Sequence, residues 1–273
     1  MQVITLGTGS PLPDPNRAGP ATLVRAAGRP LLFDCGRGVL LRLAGAELLP
    51  GMLDRVLLTH LHSDHVTDFN DLVTTRWAMS PIPNPLKVVG PAGTQGFVDR
   101  TLAMLADDIG WRMAHHDDLA WEPAVEVTEA GEGVVLDEPG LRISAAFTEH
   151  APVHPTLGYR IEADEASVVI AGDTRPCNGL DELCAGADVY VQTVIRPSAV
   201  RAIPAARLQD ILDYHSSIED AAGTAKRAGV RTLVLTHPVP SPFPGTEQEW
   251  VDEAAEHFDG EIILAHDLLT IEA

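Results

Sequence analysis

The chain alternates short apolar runs with longer alanine-rich stretches of mixed polarity. The runs are β-branched or leucine-rich and end in Gly, Asp or His. They predict strands over Gln2 to Leu6, Ala21 to Arg25, Pro30 to Phe33, Arg55 to Leu58, Leu86 to Val89, Arg142 to Phe147, Ser167 to Ala171, Val189 to Gln192, Thr232 to Leu235 and Glu261 to Ala265. The stretches between them are amphipathic at helical length and predict helices over Gly38 to Ala46, Thr67 to Met79, Thr94 to Leu105, Ile218 to Ala228 and Glu247 to His257. The helix at Ile218 has both end signals: Ser216 or Ser217 as N-cap with Glu219 and Asp220 in its first turn, and Gly229 as its stop. Strands interleaved with helices predict an α/β architecture.

An internal echo refines that picture. Pro30-Leu31-Leu32-Phe33-Asp34 precedes Val56-Leu57-Leu58-Thr59-His60, and Val168-Val169-Ile170-Ala171-Gly172-Asp173 precedes Leu233-Val234-Leu235-Thr236-His237. Each half offers a strand ending in Asp and a strand ending in Thr-His. No low-complexity linker separates them, so residues 1–273 are expected to form one domain of two similar halves. The pattern is least regular from Ser80 to Gly140, where Pro81, Pro83 and Pro85, the pair His115-His116 and an acidic stretch predict an elaboration near the functional site.

The 273 residues are 45% hydrophobic and 21% charged, the balance of an ordinary folded chain. Charge says more: 19 Lys and Arg against 39 Asp and Glu leave 19 − 39 = −20, a surface that repels phosphate backbones and anionic membranes. The opening Val3-Ile4-Thr5-Leu6 lacks the basic and apolar regions of a signal peptide, and no uncharged apolar run of ~18 residues follows. A soluble, cytoplasmic protein is expected. Three cysteines, Cys35, Cys177 and Cys184, are too sparse for a disulfide framework.

The chemistry concentrates in His60-Leu61-His62-Ser63-Asp64-His65, which follows one predicted strand and precedes a helix. It therefore lies on the turn at a strand's C-terminal end, where α/β sites form. Imidazoles and carboxylates are ligands for zinc and similar ions, and four within six residues can face two adjacent metal positions.

That spacing resembles the metallo-β-lactamase-fold hydrolases, and further segments carry the resemblance along nearly the whole chain. Leu6-Gly7-Thr8-Gly9-Ser10 is similar to their opening strand and glycine turn, and Gly172-Asp173-Thr174 to their bridging-aspartate motif. Glu149-His150-Ala151-Pro152-Val153-His154-Pro155, running into Leu157-Gly158-Tyr159-Arg160, resembles the third histidine motif of the branch holding ribonuclease Z and arylsulfatase-like enzymes. His215-Ser216-Ser217 and Thr236-His237 complete that branch's C-terminal pattern. The resemblance implies a four-layer αββα sandwich.

It also implies His60, His62 and His150 on one metal, Asp64, His65 and His237 on the other, and Asp173 bridging. Two Zn2+ ions per chain, or Mn2+ or Fe2+ in their place, would share a water whose pKa falls from 15.7 to about 7, and its hydroxide would attack an ester. His154 competes with His150 across the same Pro-Val step; the family places its ligand before that step. His215 resembles the histidine that contacts the scissile phosphate and serves the leaving group, so Asp64, Asp173 and His215 are the expected catalytic residues.

Around them, Asp34 reads as a rear support for a ligand histidine and Cys177 as a buried free thiol. His115 and His116 would line a pocket or a solvated turn. Arg175, Arg196, Arg201 and Arg207 are candidates to hold an anionic substrate.

Two departures qualify the branch. Transfer-RNA-processing ribonuclease Z enzymes carry a long arm after the Gly-Tyr-Arg segment, whereas here Arg160 reaches Asp173 through only Ile161 to Gly172. Their His-Glu-Ala-Thr motif should fall near Val191-Gln192-Thr193-Val194, where neither its histidine nor its glutamate is present. The expectation is therefore a hydrolase of a small ester, a phosphodiester or sulfate ester, with nucleic acid disfavoured, no membrane partner, and a homodimer as the branch often forms. The alternatives are a lactone or β-lactam hydrolase, a ribonuclease Z-type RNA endonuclease, and a non-hydrolytic metal-binding carrier.

Overall fold

In the computed structural model, which describes residues 1–273, the apolar runs assemble into two mixed sheets of seven strands each. The chain order is β1 (Gln2–Gly7), β2 (Ala21–Ala26), β3 (Arg29–Phe33), α1 (Val39–Gly45), β4 (Arg55–Leu57), α2 (Ser63–Val66), α3 (Phe69–Met79), β5 (Leu86–Gly90), α4 (Thr94–His115), β6 (Val125–Glu129), β7 (Gly133–Glu138) and β8 (Leu141–Phe147). It continues with β9 (Leu157–Ala163), β10 (Ala166–Ile170), α5 (Asn178–Cys184), β11 (Val189–Ile195), α6 (Pro197–Arg201), α7 (Ala206–Gln209), α8 (Ile218–Ala228), β12 (Thr232–Val239), α9 (Glu247–Ala255), β13 (Glu261–Leu264) and β14 (Leu269–Glu272).

Strand order is β14-β1-β2-β3-β4-β5-β6 in one sheet and β13-β12-β11-β10-β9-β8-β7 in the other. Both repeat one plan: two antiparallel pairings, β1–β2–β3 or β8–β9–β10, followed by three parallel ones, β3–β4–β5–β6 or β10–β11–β12–β13. The outer edge closes by exchange. The last strand, β14, flanks β1, while β7 takes the equivalent place beside β8.

This plan corrects half of the echo read from the sequence. The Asp-ended strands β3 and β10 are topological equivalents, but β12 answers to β5, and the counterpart of β4 is β11, which carries no histidine. The two Thr-His strands are therefore similar in sequence without being equivalent in position.

Apolar residues on the facing sides of the sheets, among them Val24, Leu31, Leu57, Ile143, Ile161 and Val191, fill the central core. A second core packs α1 and α3 on the first sheet and a third packs α5, α8 and α9 on the second, giving four layers, α-β-β-α. Tyr159 ties the two sheets: its ring is fully buried against Phe33, and its hydroxyl donates to the Leu58 carbonyl at 2.8 Å. The α8 ends follow the predicted chemistry. Ser217 and Asp220 form a reciprocal capping box, and Gly229 ends the helix in the left-handed region.

The predicted irregular region is more regular than expected, because α4 continues to His115 and is followed by β6 and β7. The segment Ile161 to Gly172 is a tight hairpin whose turn residues Asp164 and Glu165 have φ of 54° and 60°. No helix is long and apolar enough to cross a membrane.

Candidate metal centre

The centre lies where the parallel strands of both sheets end. β4 leads into His60 and His62, and α2 then carries Asp64 and His65 rather than the open turn expected. β10 leads through Gly172 to Asp173, β12 contains His237, and the loop between β8 and β9 supplies His150. Gly172 has φ of 67°, and a Cβ there would lie 2.7 Å from Thr59 Cβ, so only glycine lets Asp173 come this close to the β4 turn.

These residues fall into two groups: His60, His62, His150 and Asp173, and Asp64, His65 and His237. His60 Nε2 lies 3.1 Å from His62 Nδ1, which lies 3.3 Å from His150 Nε2. Two nitrogens on one tetrahedral ion, each about 2.05 Å from it, are about 3.3 Å apart, so the first group already has the edge lengths of a coordination shell.

Asp173 Oδ2 stands between the groups. It is 3.4 Å from His65 Nε2 and 3.9 Å from the Nε2 atoms of His60, His150 and His237. In the second group Asp64 Oδ2 is 3.2 Å from His237 Nε2 and 3.6 Å from His65 Nε2. His65 Nε2 and Asp173 Oδ1 are buried without a hydrogen-bond partner. Buried polar atoms left this way are costly unless something polar completes them, and two cations fit that need.

Rear contacts set the rings. Asp34, at φ of 59° after β3, accepts from Thr59 N at 2.8 Å and faces His65 Nδ1 at 2.7 Å, which leaves Nε2 toward the centre. His150 Nδ1 donates to the Tyr214 carbonyl at 2.8 Å, and His60 Nδ1 contacts Thr59 Oγ1 at 3.0 Å.

Burial pushes His60 well below the usual imidazole range and also lowers His62 and His150. Burial acts the same way on His65 and His237, but Asp173, with Asp34 for His65 and Asp64 for His237, outweighs it and raises both. Burial would raise Asp173, yet the facing charges of His237 and His65 hold it well below the carboxylate range. In Asp64 too, burial is outweighed, chiefly by the hydrogen bond from His237.

His215 belongs to neither group. Its Nε2 lies 3.2 Å from Asp173 Oδ2 and its Nδ1 3.2 Å from the Ile211 carbonyl, so both ring nitrogens face acceptors. Ser216 fixes the turn by donating from Oγ to the Thr174 carbonyl at 2.7 Å.

Other candidates fall elsewhere. His154 is exposed beside Phe147, which leaves the central place to His150. His115 and His116 are exposed at the end of α4 and do not line the central cavity. Cys177 is half-buried at the start of α5, whereas Cys35 and Cys184 are the buried thiols. Arg196 is committed to Glu249 and Glu253. Arg175, Arg201 and Arg207 are exposed and line no part of the cavity. The sequence reading missed Tyr214, whose part is played by its backbone, and the apolar residues of the cavity mouth, which belong to segments without a period.

This fold and this cluster define a class. Residues 29–238 match the family described as "Beta-lactamase superfamily domain", and the chain belongs to that superfamily as a hydrolase of the metallo-β-lactamase fold. Within it, the chain is similar to proteins named Ribonuclease Z. One from Mycolicibacterium paratuberculosis (strain ATCC BAA-968 / K-10) is 56% identical over 270 residues, covering 98% of this chain and 96% of the relative. One from Mycobacterium bovis (strain BCG / Pasteur 1173P2) is 52% identical over 274 residues, covering 100% and 98%.

Among solved structures, the metallo-beta-lactamase fold protein YhfI from Bacillus subtilis superposes with a TM-score of 0.76 at 23% identity, covering 100% of this chain and 98% of that one. Human tRNase Z, short form, gives 0.74 at 24%, covering 100% and 99%. At those identities the likeness is one of fold.

Proposed function

We propose that the chain is a metal-dependent phosphodiesterase acting on small diesters. His60, His62 and His150 would hold one ion and Asp64, His65 and His237 the other, with Asp173 shared; zinc suits the nitrogen-rich set best, and manganese or iron could replace it. Bound ions supply an activated water and a Lewis acid for the phosphoryl oxygens. The chain's own contribution is positioning and a proton. The observation that carries the reading is His215, outside both ligand groups, with Nε2 3.2 Å from the shared Asp173 and Nδ1 facing the Ile211 carbonyl. A histidine so placed gives its Nε2 proton to the departing ester oxygen as that oxygen gains charge. Asp173 keeps the ring turned toward the reacting centre.

Small substrates are supported by the net charge of −20 and the absence of any lysine or arginine from the cavity lining. A second reading, RNA cleavage of the ribonuclease Z type, is supported by the names of the relatives. Because this chain covers 96–98% of the lengths of the two described above, they too lack room for a long inserted arm, so the short hairpin does not separate this chain from them.

One preparation with measured metal content decides, assayed with bis(p-nitrophenyl) phosphate, a sulfate ester, a lactone and precursor transfer RNA at physiological salt. Turnover of the diester with poor RNA cleavage is the expected result. Accurate 3′-end processing of the RNA would replace the first reading by the second. Metal binding without turnover of any substrate would leave a carrier protein.

A further inference from the structure

One wall of the central cavity is made of residues that the proposed chemistry leaves unused. Pro11 and Leu12 come from the loop after β1, Ile203, Leu208 and Ile211 from the segment between α6 and α8, and Val239 from the end of β12. Asp64, Asp173, His215 and His237 line the same cavity. The cavity measures about 120 Å³; for scale, a cavity of about 150 Å³ lined by leucine, isoleucine and phenylalanine takes up benzene. Its opening onto the metal-binding side chains excludes a purely structural void.

Two further features mark the wall as built. Ser10 lines the same cavity, is 2% exposed, and its Oγ has no hydrogen-bond partner. A buried hydroxyl in that state awaits a polar atom from outside the chain. The loop carrying Ser10, Pro11 and Leu12 is also pinned at both ends by one carboxylate. Asp267 accepts from Thr8 N at 2.9 Å, Thr8 Oγ1 at 2.8 Å, Ala18 N at 2.7 Å and Arg42 Nε at 2.8 Å. Two apolar side chains, Pro11 and Leu12, and an unpaired hydroxyl are thus held at the cavity instead of retreating into the core.

We infer that this wall is a subsite for an uncharged, ring-sized substituent of the ester, with Ser10 Oγ donating to an oxygen of the same phosphoryl group. The inference rests on the phosphodiesterase reading and narrows its substrate class. A charged substituent would lose its hydration against these apolar side chains, where no lysine or arginine meets an anion and the carboxylates Asp64 and Asp173 are committed to the metal centre. A methyl group would leave most of the apolar surface uncovered.

The test is calorimetric binding of phenylphosphonate and methylphosphonate to zinc-loaded protein, which needs no turnover. Phenylphosphonate should bind at least about tenfold more tightly, the scale of burying most of one ring. Leu208→Asp, and Leu12→Asp at a position that is already 40% exposed, should each cut that preference to about twofold or less. Ser10→Ala should weaken both phosphonates by a similar factor and keep the preference; unchanged affinity would remove Ser10 from the subsite. Equal binding of the two phosphonates, no binding of the phenyl compound, or a preference surviving both aspartate variants would overturn the inference. Hydrolysis of bis(p-nitrophenyl) phosphate by the same preparation judges the activity separately, so failure of one reading is not mistaken for failure of the other.

Discussion

In the first half of the sandwich a single segment, His60 to His65, carries four of the seven clustered side chains; in the second half His150, Asp173 and His237 each arrive from a different element. The sheets behind them have the same plan, so the difference lies in how each half aims these side chains. The first half uses side chains: Asp34 faces His65 and accepts from Thr59, the residue next to His60. The second half relies on the backbone where it supplies His150: the Tyr214 carbonyl accepts from His150 Nδ1 at 2.8 Å. Support of the first kind is open to substitution; support of the second kind is written into the chain path.

Asp173→Ala should produce the largest effect, because this carboxylate alone faces both groups. Loss of a shared anion between two cations removes several kcal/mol of stabilisation, about 10³-fold or more in rate. Elemental analysis should find less than the wild-type metal content, which is itself expected between one and two equivalents. Wild-type turnover in this variant would place the bridge elsewhere and dissolve the contrast between the halves.

His215→Ala is next. It should keep its metal and lose about 10²–10⁴ in rate on a substrate with a basic leaving group, with much less loss on a nitrophenyl ester that departs unprotonated. Equal loss on both substrates would make His215 a phosphate contact, and loss of an ion would make it a ligand.

The contrast itself is tested by a pair. Asp34→Ala should lower metal affinity or activity about 10–100-fold, the usual cost of removing a carboxylate behind a ligand histidine. Tyr214→Phe keeps the carbonyl that holds His150, so its metal affinity should match wild type. If the two variants weaken metal binding equally, the division between side-chain and backbone support is wrong.

The sequence exposes the first half's contribution because four imidazole and carboxylate side chains in one short segment form a pattern by themselves. Each second-half residue gains meaning only beside a known motif: one aspartate after a strand or one histidine before proline has no local signature. The ten predicted strands all form, while β6, β7, β9 and β14 escape the pattern. The solvent-facing positions Glu126 and Glu129 in β6, and Asp137 and Glu138 in β7, interrupt the apolar runs at the sheet edges.

Helix α4 outruns its predicted end at Leu105 because exposed Met104 and Trp111 blur its apolar face. The likeness between His60 and His237 misled for a related reason. Similar strand ends recur at any parallel edge, and only the pairing order tells β5 from β4 as the partner of β12. The cavity wall was illegible because Leu12, Ile203 and Leu208 lie in loops and short turns, where apolar residues have no period to reveal which way they face.

The smallest predicted effect concerns the junction of the halves away from the centre. Asp54, just before β4, is bound by Arg55 Nε at 2.7 Å and by Arg29 Nη2 at 3.0 Å, and Arg29 also reaches Glu138 of β7 in the other sheet. Burial would raise the Asp54 carboxyl, but the hydrogen bonds from Arg55 and Arg29 lower it below the usual aspartate value. A carboxylate lowered on folding stabilises above its unfolded pKa of about 3.9 and loses that contribution as pH falls through the folded value. Asp54→Asn should therefore cost about 1 kcal/mol at pH 7 by urea unfolding of metal-free protein. The gap between variant and wild type should shrink below about pH 4, when wild-type Asp54 itself becomes neutral. Using the difference between two metal-free proteins cancels the histidine titrations of the centre, which both share. A gap that stays constant from pH 7 to pH 3 would mean that Asp54 contributes packing rather than charge, and that the two sheets are joined at this edge by their cores alone.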